Sequence, residues 1–352
     1  MLKADFKKHI FQFKQPGGTS RGVLHVKSSW YIKVWDEMNP VCYGIGECSV
    51  LPGLSPDDRP DLEVKLQEVC KEIEHYASHA SDLLADWPAI RFAVECALLD
   101  LRNGGQKTVF PSAFTKGVGS IAINGLIWMG EPEYMLEQIE LKLARGFSCL
   151  KMKIGAIDFE QELRILTGIR KRFSCDQLEL RVDANGAFQL DECLEKLERL
   201  SQCQIHSIEQ PIKAGQWEAM ASLCKRTPLP IVLDEELIGI VDRAEKKEML
   251  KQIQPQYIIL KPSLIGGFQA SEEWIELAEG NNIGWWITSA LEGNIGLSAI
   301  AQWTFVKNNP LPQGLGTGQV FINNIDSPLW LEGEQLRYNP AAEWAEPFGI
   351  DL

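Results

Sequence analysis

Residues 150–156 read LKMKIGA. Leu150, Met152 and Ile154 alternate with Lys151, Lys153 and Gly155, so a strand here puts its apolar side chains on one face and two ammonium groups on the other. The flanking chain decides what kind of strand this is. An amphipathic helical pattern, EPEYMLEQIELKLARG (131–146), precedes it, and FEQELRILTGIRKRF (159–173) follows. The same rhythm continues: LELRVDAN (178–185) before LDECLEKLERLSQ (190–202), IHSIEQP (205–211) before WEAMASLCKR (217–226), and PIVLDEE (230–236) before DRAEKKEMLKQI (242–253). YIILKPS (257–263) then leads to ASEEWIELAEG (270–280), and IGWWITSA (283–290) to a helix near 296–308. With SIAINGLIW (120–128) in front and LPQGLGTG (311–318) behind, eight strand-then-helix units result. Such units demand parallel strands joined by right-handed crossovers, and eight of them predict an α/β fold closed as a (β/α)8 barrel. A doubly wound open sheet is the competitor, but no GxGxxG follows the first strand.

The rest of the chain divides around this barrel. ADFKKHIFQF, VLHVKSSWYIKVWD and VCYGIGECSV have strand character, and the glycine-rich loop PGGTSRG (16–22) joins the first two. Helical patterns follow at 58–79, after SPDD, and at 88–102, ending before Gly104 and Gly105. The expected organisation is an α+β capping domain over 1–117, the barrel over 118–318, and a C-terminal segment, 319–352, returning to the capping domain.

The 352 residues carry a net charge of −13. That excess argues against nucleic acid or an anionic membrane as partner, but not against a small carboxylate substrate met by local cations. Nine cysteines without CxxC spacing read as reduced thiols of a cytoplasmic protein. The opening MLKADFKKHIFQF is charged and alternating, unlike a signal peptide. Whether the chain forms a homo-oligomer is left open.

Each strand of the repeat ends in an ionisable residue: Lys153, Asp183, Glu209, Asp234 with Glu235, then Lys261. The steps are 30, 26, 25 and 27 residues, one unit each. Barrel enzymes place their chemistry at the C-terminal ends of the strands. Three carboxylates converging there would repel one another, and oxygen donors without His or Cys suit a hard divalent cation. Two lysines buried side by side depress one another, and a lysine lowered toward neutrality is a general base. An isolated KxK is more often a solvated surface strand, and a lone acid after a strand is more often a helix cap. Three acids in register between lysines count against both bland readings.

KMK, RVDAN, IEQP, VLDEE and LKPS, with Gly266 and Gly267 behind them, resemble the enolase superfamily and its muconate-lactonising subgroup over essentially the whole chain. FAVECALLDLR (92–102) is similar to the same family. The resemblance implies a modified barrel, and Mg2+, with Mn2+ as a substitute, on Asp183, Glu209 and Asp234. It places Lys153 and Lys261 on opposite sides of a carboxylate substrate, with Lys151 helping to keep the base neutral and Glu235 behind the ligands. A racemase of the mandelate type needs a late histidine, and none follows His206. Dipeptide epimerases carry Asp-x-Asp near the eighth strand, where GLGTGQVFINN (314–324) has no acid. GLGTGQVFINNI, TSALEGNIG (288–296) and Arg181 look like the o-succinylbenzoate synthase family. That likeness implies a hydro-lyase acting on 2-succinyl-6-hydroxy-2,4-cyclohexadiene-1-carboxylate in menaquinone biosynthesis. N-succinylamino acid racemase or dipeptide epimerase is the alternative, and a metal-free aldolase using Lys261 or a non-catalytic binder is more remote. Thr19, Ser20 and Arg21 in the expected lid, with Arg181, Asn185, Ser289, Gly314 and Gly316, are the expected substrate contacts.

Overall fold

The computed structural model describes residues 1–19 and 22–348. The chain starts with an antiparallel sheet. β1 (Leu2–Thr19) and β2 (Gly22–Asp36) form a long hairpin with a bulge between Gln12 and Gly17, and β3 (Asn39–Ser49) pairs with β2. Trp30, Ile32, Val34 and Cys48 from this sheet bury themselves against α1 (Leu62–Lys71), α2 (Ile73–Leu83) and α3 (Pro88–Arg102). The single helix expected over 58–79 is thus two, because Glu72 leaves helical geometry (φ −117°, ψ 34°). Sheet and α3 meet closely. A Cβ on Gly46 would lie 1.9 Å from the Ala93 carbonyl oxygen.

After a link come β4 (Ser120–Ala122) and β5 (Gly125–Ile127), then α4 (Pro132–Ala144), β6 (Cys149–Lys153), α5 (Phe159–Arg172), β7 (Glu179–Asp183) and α6 (Leu190–Ser201). The alternation runs on through β8 (Ser207–Glu209), α7 (Trp217–Arg226), β9 (Ile231–Leu233), α8 (Arg243–Ile253) and β10 (Tyr257–Leu260). A short α9 (Pro262–Ile265) precedes α10 (Gly267–Glu279), β11 (Gly284–Ile287) and α11 (Asn294–Lys307). Among the described residues, β5 to β11 form one parallel sheet of seven strands in sequence order.

The eighth strand expected over 311–318 is replaced by two single bridges, Ile123 with Gln313 and Thr288 with Gly314. Gln313 N donates to the Ala122 carbonyl at 2.8 Å and Gly314 N to that of Ile287 at 2.8 Å, so the segment still connects the first and last strands. The physical reason is local. Pro310 and Pro312 lack the N–H a ladder needs, and the chain must pass so close to β11 that a Cβ on Gly314 would sit 2.4 Å from Thr288 Oγ1. The first unit departs as well. β4 leaves the barrel sheet to pair with β13 (Gln335–Tyr338), which forms a hairpin with β12 (Leu329–Glu332). Earlier in the tail, Val320 and Ile322 hydrogen-bond Lys14 and Gln12 of β1.

Strand parity sorts the barrel. Leu150, Met152, Leu180, Val182, Ile208, Ile231, Leu233, Ile258 and Leu260 face the helices in the main core. The opposite parity points inward. Val232, Ile259 and Trp286 form a small cluster of their own there, and the Arg181 guanidinium lies 4.2 Å from the Trp286 ring centre. No helix among the described residues is long and apolar enough to cross a membrane.

Substituting Gly46 by Ala forces a methyl onto the α3 backbone. Gly46→Ala is expected to lower stability by about 3 kcal/mol, read from urea midpoints. An unchanged midpoint would mean that sheet and helix are not packed this closely.

Candidate active site

Register brings the rim residues to one level. Lys153 pairs with Asp183 across β6 and β7, and Asp183 with Glu209 across β7 and β8. Asp234 and Lys261 follow β9 and β10 with the same inward parity. Ligand oxygens of Asp183, Glu209 and Asp234 lie within 4.8 Å of one another, and all three residues are buried. Three lysines answer them. Lys151 bonds Glu209 and lies 3.0 Å from Asp183 Oδ2. Lys153 Nζ donates to Asp183 Oδ2 at 3.0 Å and to Asn185 Oδ1 at 2.8 Å. Lys261 Nζ donates to Asp234 Oδ2 at 2.5 Å.

Burial penalises every one of these charges, and the neighbours decide which survive. For Lys151 the carboxylates of Asp183, Glu209 and Asp234 outweigh burial and hold the ammonium above its ordinary range. For Lys261 the carboxylates of Asp234 and Glu235 do the same. Lys153 goes the other way. Burial, the largest influence, and the ammonium groups of Lys151 and Lys261 hold it below the usual lysine value against the pull of Asp183. Burial raises the Asp183 carboxyl, but the three lysines overcome it and hold it well below the usual carboxylate range. Burial, with Asp183 and Asp234 adding to it, pushes Glu209 up to about 8.

The carboxylates fit a hard cation. They offer oxygen only, and Glu209 Oε1 is buried with no hydrogen-bond partner among the described residues. Crowded acids that push one of their number up are a site where added positive charge is favourable.

Turns behind the rim hold it in place. Asn185 sits in left-handed geometry (φ 44°), which Asn tolerates, and its N–H donates to Asp183 Oδ1 at 3.0 Å. Its side chain accepts from Lys153 and donates to Glu235 Oε1 at 3.0 Å, so Asn185 and Glu235 orient the lysine. Gln210, which the sequence reading passed over inside IEQP, accepts from Asp234 N at 3.2 Å and donates to Glu236 Oε2 at 3.0 Å. Glu162 holds the turn after Lys153, accepting from Gly155 N at 2.7 Å.

The lysines open into a cavity of about 300 Å³. Asp183 and Asn185 line the same end, while Leu51, Leu54, Trp128 and Leu291 make the walls apolar. Gly22, Val23 and Leu24 of the β1–β2 hairpin also line it, so the hairpin reaches over the mouth. Of the expected substrate contacts, Asn185, Ser289, Gly314 and Gly316 line the cavity. Arg181 does not. It is inward but one step further from the mouth, tied to Glu179 Oε1 at 2.6 Å and the Pro312 carbonyl at 2.9 Å. Ser20 and Arg21 lie outside the described residues, and Thr19 pairs with Gly22 across the hairpin. Asn124, Trp128, Thr288 and Thr317 also line the cavity and were not anticipated. Thr288 was within reach, since it stands 27 residues beyond Lys261, one unit on.

Comparison with known proteins places the chain. The family model described as enolase C-terminal domain-like matches residues 134–331. An o-succinylbenzoate synthase of Desulfotalea psychrophila is 48% identical over 94% of this chain and 98% of its own. The crystal structure of MenC from the same organism superposes with a TM-score of 0.84 at 43% identity, covering 96% of this chain and 99% of that one. The L-Ala-D/L-Glu epimerase of Bacillus subtilis shares the fold (TM-score 0.81, 96% of each chain) at 19% identity.

The tether at Glu162 has a pH signature. Burial pushes this carboxyl from its ordinary 4.5 to about 7, against backbone donors that pull it down. The folded state then holds a proton that the unfolded state has released between those values. This contribution to stability is therefore full below about pH 4.5 and lost as pH rises through 7. Urea midpoints between pH 5 and 8 should fall for the wild type and fall less for Glu162→Gln. Equal slopes would rule out this assignment.

Proposed function

The chain belongs to the enolase C-terminal domain-like family, and on that footing we propose that it works as an o-succinylbenzoate synthase. The reaction removes water from 2-succinyl-6-hydroxy-2,4-cyclohexadiene-1-carboxylate to give 2-succinylbenzoate, a step of menaquinone biosynthesis in the cytoplasm. The observation that carries this reading is the placement of Lys153 and Lys261 around a cluster of three buried carboxylates. The near-full-length likeness to a synthase supports it.

Asp183, Glu209 and Asp234 would hold Mg2+, or Mn2+ in its place, and the cation would offset the charge that builds on the substrate carboxylate as its α-proton leaves. The chain's own residues supply the rest. Lys153, kept low by burial and by its neighbouring ammonium groups, takes that proton at Nζ. Asn185 fixes where Nζ points, which matters because proton transfer needs hydrogen-bond reach. Lys151 stays charged on Asp183 and Glu209, and its ammonium group loosens the hold of Lys153 on its own proton. Lys261, charged against Asp234, faces the other side and steadies the developing anion. The ring hydroxyl then leaves as water, taking up the proton that Lys153 removed, and the ring becomes aromatic. The apolar walls suit a carbocyclic ring, and closure by the hairpin would keep out bulk water.

A second reading, racemisation of N-succinylamino acids, draws on the same pair of lysines, one to remove and one to return a proton. A dipeptide epimerase is disfavoured because Gly314, Gly316 and Thr317 place no acid on the cavity edge for an ammonium group. A Schiff-base aldolase would need Lys261 neutral, whereas Asp234 and Glu235 hold its proton on.

The test is loss of diene absorbance on adding the cyclohexadiene carboxylate, with Mg2+ or with EDTA, for wild type and Lys153→Ala. Metal-dependent turnover that falls at least about a hundredfold in the variant is expected. No turnover by the wild type with Mg2+ present would overturn the synthase reading.

A further inference from the structure

TSALEGNIG (288–296) carries a buried acid that does not touch the cavity. Ser263 Oγ donates to Glu292 Oε1 at 2.5 Å, and Ser289 Oγ and Ala290 N donate to Oε2 at 2.5 and 2.8 Å. Ser289, on the cavity wall, also accepts from Leu291 N at 3.1 Å and from Thr317 Oγ1 at 2.8 Å. A hydroxyl has one proton and two lone pairs. Ser289 has spent its proton on Glu292 and its lone pairs on Leu291 and Thr317, so it offers substrate a fixed surface rather than a free bond. Thr317, which also lines the cavity, has in turn spent its proton on Ser289, so its hydroxyl has only lone pairs left to offer. The turn is seated from behind. Gly293 N and Gly296 N donate to the two oxygens of Glu47 on β3 at 2.8 and 3.0 Å, and Ser29 donates to Glu47 at 2.9 Å.

We propose that Glu292 is a positioning residue: it fixes the Ser289 hydroxyl and, through it, that of Thr317, and so sets the hydrogen-bonding polarity of the cavity wall between β11 and the segment after Gly314, which is bridged to Thr288. The proposal rests on the synthase reading only for the choice of substrate. It distinguishes two substitutions of similar size. In Glu292→Gln the amide oxygen must stay toward Ala290, whose N–H cannot reverse, so the NH2 turns to Ser263, whose hydroxyl can rotate to accept it. Ser289 keeps its acceptor, and the variant should behave like the wild type. In Glu292→Leu the acceptor is gone and Ser289 and Thr317 are free to turn.

The experiment is a double-substitution cycle on KM and kcat. Glu292→Leu and Ser289→Ala should each raise KM roughly fivefold with a smaller change in kcat, the size expected for one hydrogen bond. The Glu292→Leu/Ser289→Ala double variant should be no worse than either alone, and Glu292→Gln should restore KM. Additive KM effects, or a Gln variant as impaired as Leu, would overturn the proposal and leave Glu292 a purely structural acid. Should Glu292→Leu fail to fold, Thr317→Val cuts the same chain at its other end. Its KM effect should likewise vanish in the Ser289→Ala background, and additivity would overturn the proposal. Glu47→Gln, which loosens the seat without touching Ser289, should lower Tm and leave the KM effect of Ser289→Ala intact; loss of that effect would contradict the proposal. If the wild type turns over N-succinylamino acids and not the diene, the synthase reading falls. The same cycle run on those substrates then decides the role of Glu292.

Discussion

Three carboxylates and three ammonium groups share one buried end of the barrel, and neither set is tolerable there without the other. Each buried ion costs several kcal/mol in lost hydration, recovered only where opposite charges are in contact. The parallel register provides that contact by placing Lys153, Asp183 and Glu209 side by side on neighbouring strands. The compensation is unequal. Lys151 touches two carboxylates and Lys261 is set against Asp234 and Glu235, and both keep their protons. Lys153 shares Asp183 with Lys151 and feels both other lysines, so the charge it loses most easily is its own. A lysine held low and the charged frame that holds it there thus arise from one arrangement of six side chains.

The N-terminal sheet completes this end of the barrel. Its hairpin brings Leu24 to the apolar wall, and β3 contributes Glu47 to the turn that carries Ser289 and Glu292. Gly293 is pressed against this sheet, where a Cβ would lie 2.2 Å from the Phe11 ring. The cavity is therefore made jointly by the two parts of the chain, with the charged floor from the barrel and part of the roof from the sheet.

Much of this was legible in the residues. Alternation in LKMKIGA placed two lysines inward, and the spacing of one unit between ionisable strand ends predicted which acids would meet. The rest had physical reasons for staying hidden. Pro310 and Pro312 denied the last segment a ladder, so a unit that looked like a strand is a pair of bridges. Arg181 has the inward parity of Asp183, but two residues along a strand is roughly 6–7 Å, enough to move it from the mouth into the barrel interior. Parity tells inside from outside and not depth. Glu292 reaches Ser263 across 29 residues, and Glu47 reaches Gly293 across 246. Contacts between such distant segments leave no periodicity to read.

Magnesium titration followed by calorimetry tests the central claim most directly, using wild type and Glu209→Gln. If Asp183, Glu209 and Asp234 are a divalent-cation site framed by lysines, the wild type binds one Mg2+ per chain and the variant binds at least about tenfold more weakly. Undiminished binding in Glu209→Gln would contradict the account, because the cation would then lie away from the only end of the barrel where Lys153 could meet a substrate it holds.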